Sequence, residues 1–378
     1  MIAADIERLS REYAADEPTE GRFARALQVD VPVWRELGQE ILADLDDRVF
    51  GVRWWAPHPG TSRRILISDH LFACVLGVES NLLEARLHLI EANDSWQQES
   101  DFHARAVSIG RDGGVKVQLP ERRRPLDELS PAMSTLHTIG FIRAVAGALD
   151  CFGASVVGVG ALKTSLLHAD LDAAWKTLAR VNGTSASDCA QANIRDQLDA
   201  ALKRAGPPGW FKWTVDLRNT LIHRGRRLQL SELRPMPSGL VLPDGNPILR
   251  TEVIPQLPRD PGRSDVEMFL DTADPPVLTE NAATTLRGIL ESTLRLVAEG
   301  GEILLRLWRT RRANPSLLLQ PREQWPNGAS VVTTGFRGYS PDSVPYDPNH
   351  WRSNELLIRR MKAASLGDKE RAAWARFD

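Results

Sequence analysis

Cysteine is scarce in this chain, with three in 378 residues, and Cys74, Cys151 and Cys189 stand far apart with no CxxC spacing among them. That excludes a disulfide framework and a thiolate zinc site, and it fits a reducing, cytoplasmic setting. The eight histidines show neither HExxH nor a two-His-one-carboxylate spacing, so neither a metal nor a cofactor is expected. Long apolar runs are missing too. The longest uncharged one, Cys151 to Leu162, is well short of the roughly 20 residues that cross a bilayer. The N-terminus carries Asp5 and Glu7 in a short amphipathic stretch where a signal peptide needs a continuous apolar core, so no membrane role is expected. Charge of one sign is also lacking. With 47 Lys and Arg against 49 Asp and Glu the formal net charge is −2, and no global field recruits nucleic acid.

What is present is enough apolar material for a substantial core, 42% of residues, in a pattern that reads as mainly helical. Helical stretches are expected near Ala3 to Ala15 and Val33 to Phe50, then a turn-rich Trp54 to Gly60, which together make residues 1–61 an N-terminal extension. A long helix is expected from Ser62 to about Ser108, then a turn at Asp112-Gly113-Gly114, a short strand at Val115 to Leu119 and a basic loop, Arg122-Arg123-Arg124-Pro125. Ser130-Pro131 has the chemistry of a helix start, a serine cap followed by proline at the first helical position. Behind it Ile142, Val145, Leu149, Phe152, Val156 and Val159 step by threes and fours, the strongest periodicity in the chain, with a continuation expected to Arg180.

A helix from Ser187 to Ala205 and a final one from Thr279 to Arg312 complete the frame. In the last, Leu286, Leu290, Leu294, Val297, Leu304 and Leu307 or Trp308 face inward, and Gly300-Gly301 is a candidate bend. Residues 62–312 form the expected helical domain, with its core at 131–312 and an irregular insertion at 228–276 that contains one hairpin turning at Pro243 to Pro247. Residues 313–378 are a Pro- and Gly-rich tail with short helices. There Phe336, Arg337, Tyr339 and Trp351 either pack on the body or stack on bases. Gly158 to Thr164 has part of the spacing of a phosphate loop, but Leu162 stands where a Gly must precede Lys163, and small residues for close helix packing are the better account. The eleven tryptophans read as core and interface anchors.

The candidate chemistry lies in Arg218-Asn219-Thr220-Leu221-Ile222-His223. An Arg-Asn-x-x-x-His string arises by chance in about one chain of this length in fifty, so its surroundings decide its meaning. Pro207-Pro208-Gly209 breaks the preceding segment, Trp210 to Arg224 holds no Gly or Pro, and Gly225 is a natural stop. Trp210, Trp213, Leu217 and Leu221 make one apolar face, and Lys212, Asp216, Asn219 and His223 the opposite one. Asn219 and His223 nearly eclipse each other, whereas Arg218 lies about 140° around from His223 and about 7.5 Å along the axis. From Lys203 to Arg227 there are seven Lys or Arg against one acid, Asp216. Lys212, Arg224, Arg226 and Arg227 are the candidate RNA-binding cations. The alternative is that the last three complement a helix C-terminus.

The motif resembles the Arg-x(4–6)-His signature of the HEPN superfamily, in the stricter form that has Asn directly after the Arg. The resemblance covers the motif closely and the helical frame over 131–312 loosely. It implies an HEPN-like helical bundle with a small β-hairpin insertion, acting as a metal-independent endoribonuclease in toxin or antiviral defence, dimeric, with RNA as substrate and an antitoxin or regulatory partner. A non-catalytic HEPN-like module binding RNA, nucleotide or protein is the alternative it leaves open. A looser copy, Arg64 and His70, lacks the Asn and reads as structural. Arg226 occupies the third position after His223, so the HEPN subgroup with a nucleotidylated Tyr there is not the one resembled.

The residue types suit RNA cleavage because RNA carries its own nucleophile. His223 can take the 2′-hydroxyl proton, since imidazole titrates near neutrality. Arg218 presents a planar fork of donors to the phosphorane oxygens. Asn219 orients the imidazole or holds a phosphate oxygen, with Asp216 in support. The products are then a 2′,3′-cyclic phosphate and a 5′-hydroxyl. The insertion begins five residues after His223, where it is either a cover for the site or an inert loop.

Overall fold

The computed structural model of this chain describes residues 31–44, 61–109, 115–117, 125–223, 230–241, 247–270, 275–317 and 338–339. The stretch at 3–15, the turn at 54–60, the loop at 122–124, the cations Arg224, Arg226 and Arg227, and Phe336, Arg337 and Trp351 lie outside the described residues. Of Arg64 and His223 only the backbone is described. The architecture is a mainly α-helical bundle with two small antiparallel hairpins. In chain order it runs α1 (Pro32–Asp44), α2 (Thr61–Ala106), β1 (Val107–Ile109), β2 (Val115–Val117), α3 (Pro125–Gly160), α4 (Leu171–Ala179), α5 (Ala186–Ala205), α6 (Trp210–His223), β3 (Leu230–Val241), β4 (Pro247–Gln256), α7 (Asp265–Leu270) and α8 (Ala282–Ala313). Two compact units are built from interleaved stretches: 79–148 with 200–297, and 32–78 with 149–199 and the chain from 298 onward.

In the first unit the apolar sides of α2 and α3 bury Leu82, Ala85, Leu89, Phe141, Ile142 and Val145, and α8 adds Leu286, Ile289, Leu290 and Leu296. Each of these side chains larger than alanine contributes about 1.5–3 kcal/mol by leaving water. β1 pairs with β2 in register Val107↔Val117, and β3 with β4 from Leu230↔Gln256 to Val241↔Pro247, with a shift between Pro237 and Val241. The second hairpin is longer than the sequence implies. Its first strand holds Pro235 and Pro237, which lack the N–H that a central strand must donate, and a two-stranded ribbon tolerates them because each strand has a free edge.

The second unit is centred on aromatic packing. Phe152 meets the edge of Trp34 at 5.8 Å and lies 6.5 Å from Trp175, whose indole N–H donates to Asp199 at 3.0 Å. Residues 32–44, placed by the sequence in a terminal extension, supply Trp34, Leu37 and Ile41 to this core. Outside it Arg309 and Arg312 reach back to Glu36, Glu40 and Asp44, and the Trp308 indole N–H donates to Asp44 at 2.8 Å. Glycines permit the close approach. A Cβ on Gly153 would overlap the Leu171 backbone, and one on Gly301 would sit 2.7 Å from Val33 Cγ1. Gly300-Gly301 therefore answers to Phe152, Val33 and Trp34, and α8 stays helical through the pair.

Two expected boundaries move. Ser130-Pro131 does not start a helix; α3 begins at Pro125 and carries Pro131 inside it. The preference for proline in the first turn is met six residues earlier, and the helix forgoes the bond from residue 131 to the carbonyl of 127. The stripe itself is as expected, with all six of its residues buried. Its continuation to Arg180 is not, because the chain leaves the helix at Ala161. There Leu162 N–H donates to Val157 O at 3.0 Å and Ala161 N–H to Gly158 O at 3.2 Å, the paired bonds of a Schellman stop, with Ala161 at φ 49° in the place glycine usually takes. The final helix also turns slightly from its expected face, burying Thr293 and Leu296 where Leu294 is half-exposed. Tyr339 is 99% exposed.

Residues Glu128–Gly160 have the length and hydropathy of a membrane span, but 78% of the apolar window is buried inside the protein, as in a core helix.

Candidate functional site

The motif helix α6 is entered through Pro207-Pro208-Gly209, where Gly209 takes φ 87° and turns the chain so that Trp213 N–H can close on Gly209 O at 2.9 Å. From there it is unbroken to His223. The axial offset of about 7.5 Å and the 140° rotation between Arg218 and His223 therefore hold for its backbone. Arg218 is half-buried and Asn219 is exposed.

The buried face differs in part from the apolar one expected. Trp210 and Leu217 are buried, while Trp213 and Leu221 are half-buried, and the places between them go to Thr214 and Thr220. These threonines are tolerated because each hydroxyl finds a carbonyl: Thr214 donates to Trp210 O at 2.9 Å and Thr220 to Pro261 O at 2.6 Å. The Trp213 indole N–H is shared between Pro258 O and Arg259 O, each at 3.1 Å. Gly262 lies against Asp216.

Thus the end of the insertion, residues 258–262, runs along α6 and is held at Trp213, Asp216 and Thr220. Its other edge is fixed by Leu278 N–H to Leu257 O at 2.8 Å and Arg259 N–H to Pro276 O at 3.0 Å. This end of the insertion is a strap bonded to the motif helix. A capping box follows, in which Ser264 Oγ accepts from Glu267 N–H at 3.2 Å and Glu267 Oε2 accepts from Ser264 N–H at 2.7 Å, and it starts α7.

Lys212 and Asp216, assigned to RNA binding and to support of the imidazole, form an ion pair with each other one turn apart. Asp216, with Asp260 adding to it, holds the Lys212 ammonium above its ordinary range. The first half of α6 therefore presents a compensated cation, and Arg218 is the charged motif residue beyond it. The looser copy has no such setting. His70 lies on α2 with its Nε2 3.6 Å from Cys74 Sγ.

Three features of this region are silent in the sequence. A cleft of about 610 Å³ opens where the start of α6 meets α8, walled by Trp210, Trp213 and Ile289. A second, of about 430 Å³, is lined by Glu99 and Glu128 beside Pro255 to Leu257, and burial pushes the Glu99 carboxyl up. On the facing sides of α2 and α3, His88 Nδ1 and His137 Nδ1 are 3.0 Å apart. Among the described residues no group of three His, Cys, Asp or Glu side chains is placed to hold a metal ion.

Comparison with known proteins gives no matching family model, no similar curated sequence and no matching solved structure.

Proposed function

We propose that this protein is a metal-independent endoribonuclease of the HEPN type, with Arg218 as phosphate ligand, His223 as general base and Asn219 as the residue that orients one or the other. The observation that carries the reading is the unbroken helix Trp210–His223, anchored by buried Trp210, Leu217 and Thr220, with Asn219 exposed and Arg218 half-exposed. A rigid element holds a catalytic constellation better than a loop does. The strap is bonded to the same helix at Trp213 and Thr220.

Because Arg218 and His223 point about 140° apart on one helix, a working centre draws Arg218 from one copy and His223 from a second, facing helix in a homodimer. RNA is the substrate. A toxin or antiviral role, with an antitoxin or regulatory partner, belongs to the same proposal and rests on the resemblance alone.

The test is purified protein incubated with mixed RNA in EDTA. Cleavage should persist and leave 2′,3′-cyclic phosphate and 5′-hydroxyl ends, because base and cation are both side chains. Products ending in 3′-hydroxyl, or an absolute need for Mg²⁺, would overturn the mechanism. RNA binding without cleavage would favour a non-catalytic module on the same helix.

A further inference from the structure

The cavity that α2, α3 and the end of β4 enclose is chemically one-sided. Its volume, about 430 Å³, is within the range of sites for one small molecule. Glu99 of α2 and Glu128 of α3 line it, and no Lys, Arg or His does so among the described residues. Neither carboxylate has an ion pair among the described residues. Burial pushes the Glu99 carboxyl up, with His103 one turn along α2 opposing. A carboxylate drawn out of water without a cation beside it is costly, so this cavity holds more negative charge than its own side chains balance.

The backbone adds to the same excess of acceptors. Pro131 and Pro255 are both lining residues, and proline has no N–H with which to answer a carboxylate. Pro131 also leaves the carbonyl of Asp127 without its helical donor, and helix geometry keeps that oxygen beside the Pro131 ring. The rest of the lining is apolar. Trp96 is buried, and an indole face attracts a cation more strongly than any other side-chain ring. Leu257 and Ala282, both buried, add hydrocarbon.

Two unmatched carboxylates, a spare carbonyl, an indole and hydrocarbon walls select a cation that itself carries hydrocarbon. A divalent metal ion is the poorer match, since Mg²⁺ and Ca²⁺ want six or more oxygen ligands and no group of three acidic or His side chains is placed to hold one among the described residues. An ammonium group donates three hydrogen bonds, and a methylene chain between two such groups suits the apolar lining. We propose that this cavity binds a small aliphatic diamine or polyamine, its ammonium groups on Glu99 and Glu128 and its methylenes against Trp96 and Leu257. The site is separate from the Arg218 to His223 motif, and the proposal does not rest on the ribonuclease reading.

The experiment is a calorimetric titration of the full, RNA-free chain at low ionic strength with putrescine, cadaverine and spermidine, and with Mg²⁺ and N-acetyl-lysinamide for comparison. Saturable binding of at least one of the three amines is expected, tighter than that of Mg²⁺ or the lysine amide. Glu99→Gln should weaken it by about tenfold or more, the worth of one charge-assisted hydrogen bond. Its melting temperature should be unchanged or higher, because a neutral amide is less costly to bury than a carboxylate. Ala132→Trp, at an exposed lining position of α3, should weaken binding by filling the cavity while leaving both carboxylates in place. No saturable binding of any amine, Mg²⁺ bound as tightly as the amines, or wild-type affinity in Glu99→Gln overturns the proposal. Tighter binding of the lysine amide than of all three amines also overturns it, and assigns the cavity to a side chain of a protein partner. Amine binding by a protein that cleaves no RNA would sink the ribonuclease reading and leave this one standing; RNA cleavage without amine binding would do the reverse.

Discussion

Arg218 and His223 are five positions apart, and that spacing decides what single substitutions can reveal. If they hold the roles proposed, Arg218→Ala and His223→Ala should each lower turnover by about 10²- to 10⁴-fold, the usual range for a positioned acid–base or charge-stabilising group. Circular dichroism should show both variants folded. The two inactive proteins, mixed and allowed to exchange subunits, should recover about a quarter of wild-type activity, because half the dimers then contain one centre with both residues intact. Recovery of nothing would mean that each centre takes both residues from one chain. A second residue invites a stability measurement. Arg311, in the last turn of α8, is fully buried, and none of its guanidinium nitrogens has a hydrogen-bond partner among the described residues. Burial pushes it down to about 10. Arg311→Met, which keeps the volume and removes the charge, should raise unfolding free energy by about 1–4 kcal/mol in urea denaturation. A loss of stability would mean that the charge has an acceptor outside the described residues.

The strap is the element whose behaviour is hardest to anticipate from sequence, because its bonds to α6 join residues 41 to 46 positions apart. Thr220→Val keeps the shape of a buried side chain and removes the donor to Pro261 O, so it should cost about 1–2 kcal/mol. Hydrogen exchange should show the amides of 259–263 less protected, and those of α3 unchanged. What was legible in advance was whatever depends on local periodicity: the α3 stripe, the extent of α2 and α5, the bounds of α6, and the Arg-Asn-His spacing on it. What was not legible depended on distant partners or on rare backbone states. Ala161 ends α3 in a left-handed conformation that an alanine gives no sign of, and Pro131 sits inside a helix it was expected to begin. The Lys212–Asp216 pair was visible as a one-turn spacing, but its consequence, a cation already compensated, needed the geometry.

For the whole molecule, the pair His88 and His137 links stability to pH. With their Nδ1 atoms 3.0 Å apart, one ring donates and the other accepts, so at least one must be neutral. Burial and the neighbouring His88 hold His137 below its ordinary range, with Glu91 opposing, while Glu84 lies 3.7 Å from His88 and 3.4 Å from Arg143. A histidine whose folded-state value is depressed adds stability above its unfolded value of about 6.5, and that stability is lost as pH falls through the folded value. Urea midpoints should therefore drop between pH 7.5 and pH 5.5, and His137→Gln should flatten the drop. An unchanged slope in the variant would assign the acid sensitivity to other groups.

The interleaving of the two units has a consequence for how the chain comes into being. The first unit needs residues up to 297 and the second needs those from 298 onward, and each also needs stretches made much earlier. On a ribosome, where domains usually fold one after another as they emerge, neither unit can close until about three quarters of the chain has been synthesised. Helix α6 with its Arg218 to His223 motif is thus exposed early and completed late. Any activity that depends on a packed α8 and a fastened strap is withheld from nascent chains; if the proposed ribonuclease activity is of this kind, the ribosome's own RNA is spared during its translation.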